Sequence, residues 1–357
     1  MSATNHLIKH IGLHRLNGVE LRTISDLEEG VLPIIEAERT VIVRLAQESR
    51  WQQRMVTLFV LSDLTPLTRQ LQALGRDTVD AQPGTRDELS KRPVVNVYDL
   101  ASPAACHVFV NRTAMIEAGY WDDPTAIQGL LAHEHAHPLA ECPATGAVRR
   151  LQIDLTLQAA TPWAQDAQQA QEWTAKAQNQ LTALAHSLVL LGPREVLANQ
   201  MVLEVGFAPA LWHLNRQTIR TLAESVGRRP LLQALLSDAV AAGRLNQTGA
   251  DALLLIGDLQ GCLLLSTDIA AFQRQGCDAE ADELLAHLHA EVFPHLDPLV
   301  ERLFQQFCET YVQLSPSAVI HEMWQFAQGQ LDLLATTLAK RFLHLTSHVT
   351  ISPPKGG

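Results

Sequence analysis

The sequence predicts an α+β fold: a mixed sheet with helices in its N-terminal half, then a predominantly α-helical C-terminal half. Three observations predict it. Apolar or β-branched runs of strand length stand at Thr40–Arg44, Arg54–Leu61, Val94–Tyr98 and His107–Asn111. From about residue 112 the chain is rich in Ala, Leu and Gln and poor in such runs. Helix-start dipeptides, Asp123-Pro124, Thr161-Pro162 and Gly192-Pro193, punctuate that second part.

Taken in order, Leu64, Leu67, Leu71 and Leu74 recur at helical spacing until Gly75, and the polar stretch holding Pro83-Gly84 reads as a loop. Asp123-Pro124 predicts an acidic N-cap with proline at the first helical position, and Ile127, Leu130 and Leu131 lead from it to His133. Thr161-Pro162 predicts a helix running to Leu191, where Gly192-Pro193 ends it and starts the next. Further helices are expected over roughly 247–273, 278–292, 296–313 and 316–346, with a disordered tail at 351–357.

Composition narrows the function classes. With 357 residues, 47% apolar and 18% charged, the chain can bury a substantial core, which excludes a disordered protein. A balance of 27 Lys+Arg against 38 Asp+Glu, with few aromatics, supplies neither the positive field nor the stacking surface of a nucleic-acid binder. The N-terminus lacks the basic-then-apolar order of a signal peptide, and no run of 18 uncharged apolar residues occurs, so no membrane partner is expected. Cysteines at 106, 142, 262, 277 and 308 are odd in number, widely spaced and without C-x-x-C, which points to a reducing cytoplasm.

The chemistry lies in His133-Glu134-His135-Ala136-His137, an H-E-x-x-H. On a helix, residues 133 and 137 are about 40° apart in projection and one turn apart in height, so both imidazoles can reach one Zn²⁺ ion. Glu134 lies about 100° round the helix, placed to polarise a water on the metal. His135 points away. Zinc needs a third protein ligand, and Glu195 is the candidate: it stands in the first turn of the helix opened by Pro193, where the dipole favours a carboxylate. Asn199, one turn on, shares its face and can orient a ligating histidine.

With these residues in place, the sequence resembles the gluzincin metallopeptidases over about 107–206. Their active-site helix carries H-E-x-x-H, and a later glutamate helix carries E-x-x-A-D/N, matched here by Glu195-Val196-Leu197-Ala198-Asn199. The resemblance implies a zincin-like catalytic unit with one zinc ion on His133, His137 and Glu195, Glu134 as general base, and Asn199 supporting the ligands. It further implies that His107, Val108, Phe109, Val110 and Asn111 form an edge strand that pairs with extended peptide or protein substrate. Tyr120 and His213 are candidates for stabilising the oxyanion. Two departures stand out: Glu195 follows His137 by a long interval, and Pro138 disfavours helical geometry at His137, so the helix should kink or end there.

On this reading 1–111 is the α+β portion, 112–206 completes the catalytic domain, 207–350 is a helical domain and 351–357 a tail. His287, His289, Glu283, Glu291 and His295 form another His/acid cluster, read as a solvated face. The sequence leaves three functions open: a zinc metallopeptidase, a non-catalytic helical binding or regulatory protein with a structural or vestigial metal site, and a zinc hydrolase of a non-peptide amide or ester.

Overall fold

In the computed structural model, which describes residues 8–70, 90–98 and 104–353, the chain divides into two compact units: Met1–Ala140 with Met201–Thr218, and Glu141–Gln200 with Ile219–Gly357. Two of the crossing points between the units fall inside continuous helices.

The first unit contains β1 (His10–Leu16), β2 (Val19–Ser25), α1 (Val31–Leu45), β3 (Met55–Leu61), β4 (Val94–Tyr98), β5 (Ala105–Asn111), α2 (Arg112–Glu117) and α3 (Pro124–Ala136). Its five strands form one mixed sheet in the order β1-β2-β3-β5-β4. β2, β3 and β5 run parallel, and β1 and β4 are antiparallel at the two ends. α+β is therefore the observed class of this half. Thr40–Arg44, expected as a strand, lies inside α1, where Ile34, Ile35, Val41, Ile42 and Leu45 are buried at helical spacing. Burial of that stripe outweighs the strand propensity of Val-Ile-Val. Leu64 and Leu67 fall around a 3₁₀ turn, Thr65–Leu67, whereas Leu71, Leu74 and Pro83-Gly84 lie outside the described residues.

One site expectation changes here. β5 is not an edge strand: it pairs with β3 on one side and β4 on the other. The backbone groups of His107, Val108, Phe109, Val110 and Asn111 are thus committed to neighbours within the sheet and cannot take up an extended substrate. Among the described residues the edge on this side is β4, whose lone polar residue, Asn96, donates its amide to the Glu134 carbonyl at 3.1 Å.

The second unit holds α4 (Pro143–Val148), β6 (Leu151–Ala159), α5 (Ala167–Ala185), a π-helical segment (His186–Leu191) and the N-terminal part of α6 (Gly192–Glu204). α7 (Ala208–Val226) begins in the first unit and ends in the second. Then follow α8 (Arg229–Ala241), α9 (Gln247–Cys262), α10 (Leu265–Arg274), α11 (Asp278–Glu291), α12 (Pro298–Val312), α13 (Ile320–Ala339) and β7 (Leu343–Ile351).

Helix does predominate, but β6 and β7 form an antiparallel two-stranded sheet where only helix was expected. Thr161-Pro162 follows β6 rather than opening a helix; α5 is capped by Asp166, whose carboxylate accepts from the Gln169 N–H at 2.8 Å. Residues 354–357 of the expected tail lie outside the described residues. Among the described residues, one continuous helix, Ala167–Glu204, is long and apolar enough to cross a membrane, and 67% of its apolar window is buried inside the fold.

Candidate metal centre

α3 begins as the sequence requires. Asp123 caps it, its Oδ1 accepting from the N–H groups of Thr125 and Ala126 at 3.2 and 3.1 Å, with Pro124 in the first turn. The helix ends at Ala136, one residue before the proline-constrained position, yet His137 keeps right-handed helical angles (φ −51°, ψ −52°). Those angles preserve the phase of the motif. The rings of His133 and His137 stand 4.7 Å apart, centroid to centroid, at 79°.

Four further contacts hold the helix. His135 faces away from the other two histidines and meets Glu38 of α1, with Nε2···Oε1 2.7 Å. Both side chains are fully buried. Burial alone would lower the imidazole's pKa, but the Glu38 carboxylate and the Cys106 thiol outweigh it and push His135 up to about 10. The Trp51 ring stands 5.5 Å from the His135 ring. Asn96 holds the Glu134 carbonyl. At Gly129, the Ala210 backbone of α7 approaches so closely that a Cβ would collide with the Ala210 carbonyl.

Glu195 lies in the first turn of α6, as its place after Pro193 predicts. One nitrogen each from His133 and His137 and one Glu195 carboxylate oxygen all lie within 4.8 Å of one another, a group that can hold a metal ion. Two imidazoles and a carboxylate are a donor set that zinc accepts. His133 and Glu195 are half-buried and His137 is buried.

Asn199, one turn beyond Glu195, is buried and gives its amide to Asp268 of α10 at 2.6 Å. The expected support residue is therefore itself anchored by a carboxylate 69 residues away. Nothing local in the sequence marks Asp268. Asn96 and Glu38 did carry a signal, each being a polar residue set within an otherwise buried apolar pattern.

Tyr120 and His213 are placed elsewhere. His213 Nε2 bonds Asp123 Oδ2 at 2.6 Å. Asp123 precedes His133 by ten residues, about 15 Å along the helix axis. Tyr120, three residues before Asp123, bonds Thr218 with its hydroxyl at 2.7 Å. Both side chains brace the N-terminal end of α3, opposite the end that carries the ligands, so neither is positioned to meet an oxyanion at the centre. The second histidine cluster resolves into two separate pairs, His287–Glu291 at 2.9 Å and His289–Glu301 at 3.4 Å. Comparisons of the chain with protein-family models, with curated proteins and with solved structures return no match.

Proposed function

We propose that the protein is a cytoplasmic, zinc-dependent metallopeptidase of gluzincin type. The observation that carries this reading is the convergence of His133, His137 and Glu195, because two imidazoles from one helical turn and a carboxylate from a distant helix form a donor set with one position to spare. When bound there, zinc supplies a Lewis acid that polarises a carbonyl and acidifies water. Glu134 follows His133 directly, half-buried on a helix turn whose carbonyl Asn96 holds. Its carboxylate takes the proton released as water adds to the amide carbon and returns it to the leaving nitrogen, so the products are an acid and an amine. The partial exposure of His133 and Glu195 favours a centre open to substrate over a closed structural one. Five thiols that form no disulfide support the reducing compartment.

The test is metal content and peptidase activity measured together. Wild-type protein should retain one zinc per chain after dialysis, Glu195→Ala should lose it, and Glu134→Gln should keep zinc while losing cleavage of a peptide library. Wild type without stoichiometric zinc, or Glu134→Gln with undiminished cleavage, would overturn the reading. Zinc-dependent hydrolysis confined to non-peptide esters or amides would leave the metal chemistry and replace the substrate.

A further inference from the structure

The long helix that delivers Glu195 changes register just before it does so. In the π-helical segment the Gly192 N–H donates to the Ser187 carbonyl, five residues back. The Leu188 carbonyl is thereby passed over. Its two possible donors in the helix are Gly192, already committed, and Pro193, which has no N–H. Leu188 is fully buried, so water cannot serve instead.

The missing donor comes from α12. The Tyr311 hydroxyl donates to Leu188 O at 2.5 Å. Tyr311 is itself fully buried, and burial is the main cause that pushes its phenol up, which keeps the O–H protonated and available. Gly192 makes room for it: a Cβ at that position would collide with the hydroxyl oxygen and stand 2.8 Å from Cζ. Glycine, proline and tyrosine thus act together at one turn, and Glu195 follows three residues after Gly192.

Without the hydroxyl, the favourable repair is for Gly192 to donate to Leu188 as in an ordinary α-helix. That removes the extra residue from the turn and rotates the helix beyond it, by up to about 100° per residue of slip. We propose that Tyr311 is a positioning residue of the metal centre: by occupying the Leu188 carbonyl it holds the π turn and so fixes the direction in which the Glu195 carboxylate points. The inference rests on the zinc reading of the same centre.

The experiment measures affinity for Zn²⁺ alone, by competition with a chromophoric chelator, and the visible spectrum with Co²⁺ in its place. The full chain is compared as wild type, Tyr311→Phe and Gly192→Ala, with Glu195→Ala as the floor and circular dichroism to establish folding. Tyr311→Phe should keep its helical spectrum yet bind zinc about ten- to a hundredfold more weakly, the usual loss when support behind a ligand is removed. Its Co²⁺ bands should weaken as the coordination geometry degrades. Gly192→Ala, which displaces the hydroxyl without altering Tyr311, should do the same and carries the test if Tyr311→Phe does not fold. Folded variants with zinc affinity within about twofold of wild type and an unchanged Co²⁺ spectrum would overturn the proposal, leaving Tyr311 a purely structural residue. Wild type that binds no zinc would instead overturn the metal reading itself, and this inference with it.

Discussion

His135 and Glu38 meet at 2.7 Å with neither side chain exposed to solvent. The central histidine of His133-Glu134-His135-Ala136-His137 is thus the residue that fastens the motif helix to α1, while the outer two supply nitrogens to the metal group.

That division of labour predicts a large asymmetry between single and paired replacement. Glu38→Ala leaves a buried imidazole facing an empty carboxylate site, and removing one partner of such a pair costs about 3–5 kcal/mol. The double variant Glu38→Leu/His135→Leu removes both polar groups and should cost much less, because it also removes the desolvation penalty. Urea unfolding of Glu38→Leu, His135→Leu and the double variant measures this, each single variant losing one partner as Glu38→Ala does. Additive losses would mean that the contact contributes nothing of its own.

The same contact shows what was legible in the sequence. The outer histidines could be placed because their relation is set by helical geometry within five residues, and Glu195 because Pro193 fixes its position in a helix start. The orientation of His135 followed from the same geometry, but its partner did not, since Glu38 is 97 residues away. Asp268 and Tyr311 were hidden for the same reason. β5 was recognised as a strand, yet its interior place depends on strand order, which no local pattern fixes. β6 is a different case: Leu151, Ile153, Leu155 and Leu157 alternate with Gln152, Asp154, Thr156 and Gln158, a period-two signal that the surrounding helical composition obscured.

The bracing of the far end of α3 predicts that two conspicuous polar residues are dispensable for the chemistry. His213 is 42% exposed where it meets Asp123, so His213→Ala should cost no more than about 1 kcal/mol. Tyr120→Phe loses one hydrogen bond to Thr218 and should cost about 1 kcal/mol. Zinc affinity and kcat should be unchanged in both. A fall in kcat of about a hundredfold in either variant, the loss expected when an oxyanion donor is removed, would return that residue to the site.

β6 is tied to α5 by one side chain. Gln178 accepts from the Leu157 N–H at 2.5 Å and donates to the Leu155 carbonyl at 2.7 Å, occupying the strand edge as a neighbouring peptide group would. Gln178→Leu should destabilise the protein by about 1–3 kcal/mol through the two groups left unpaired. Gln178→Glu should cost at least as much, because a carboxylate oxygen then faces the Leu155 carbonyl. Thermal unfolding at neutral pH distinguishes the two, and a glutamate variant as stable as wild type would show that the donated bond is immaterial.

Gly129 sets opposing effects against each other. In a helix interior, alanine is favoured over glycine by about 1 kcal/mol, which alone predicts that Gly129→Ala stabilises α3. The added Cβ, however, would collide with the Ala210 carbonyl oxygen and stand 2.8 Å from its carbonyl carbon. Both are backbone atoms of α7, which cannot swing aside as the end of a side chain could. Overpacking of this kind costs about 1–3 kcal/mol, so the net change should be a loss of up to about 2 kcal/mol. Since the shift must be taken up between α3 and α7, part of it should reach His133 one turn further on, and zinc affinity should fall with stability. A Gly129→Ala variant with a raised unfolding midpoint would show that α7 yields freely and that its approach does not hold the motif helix in place.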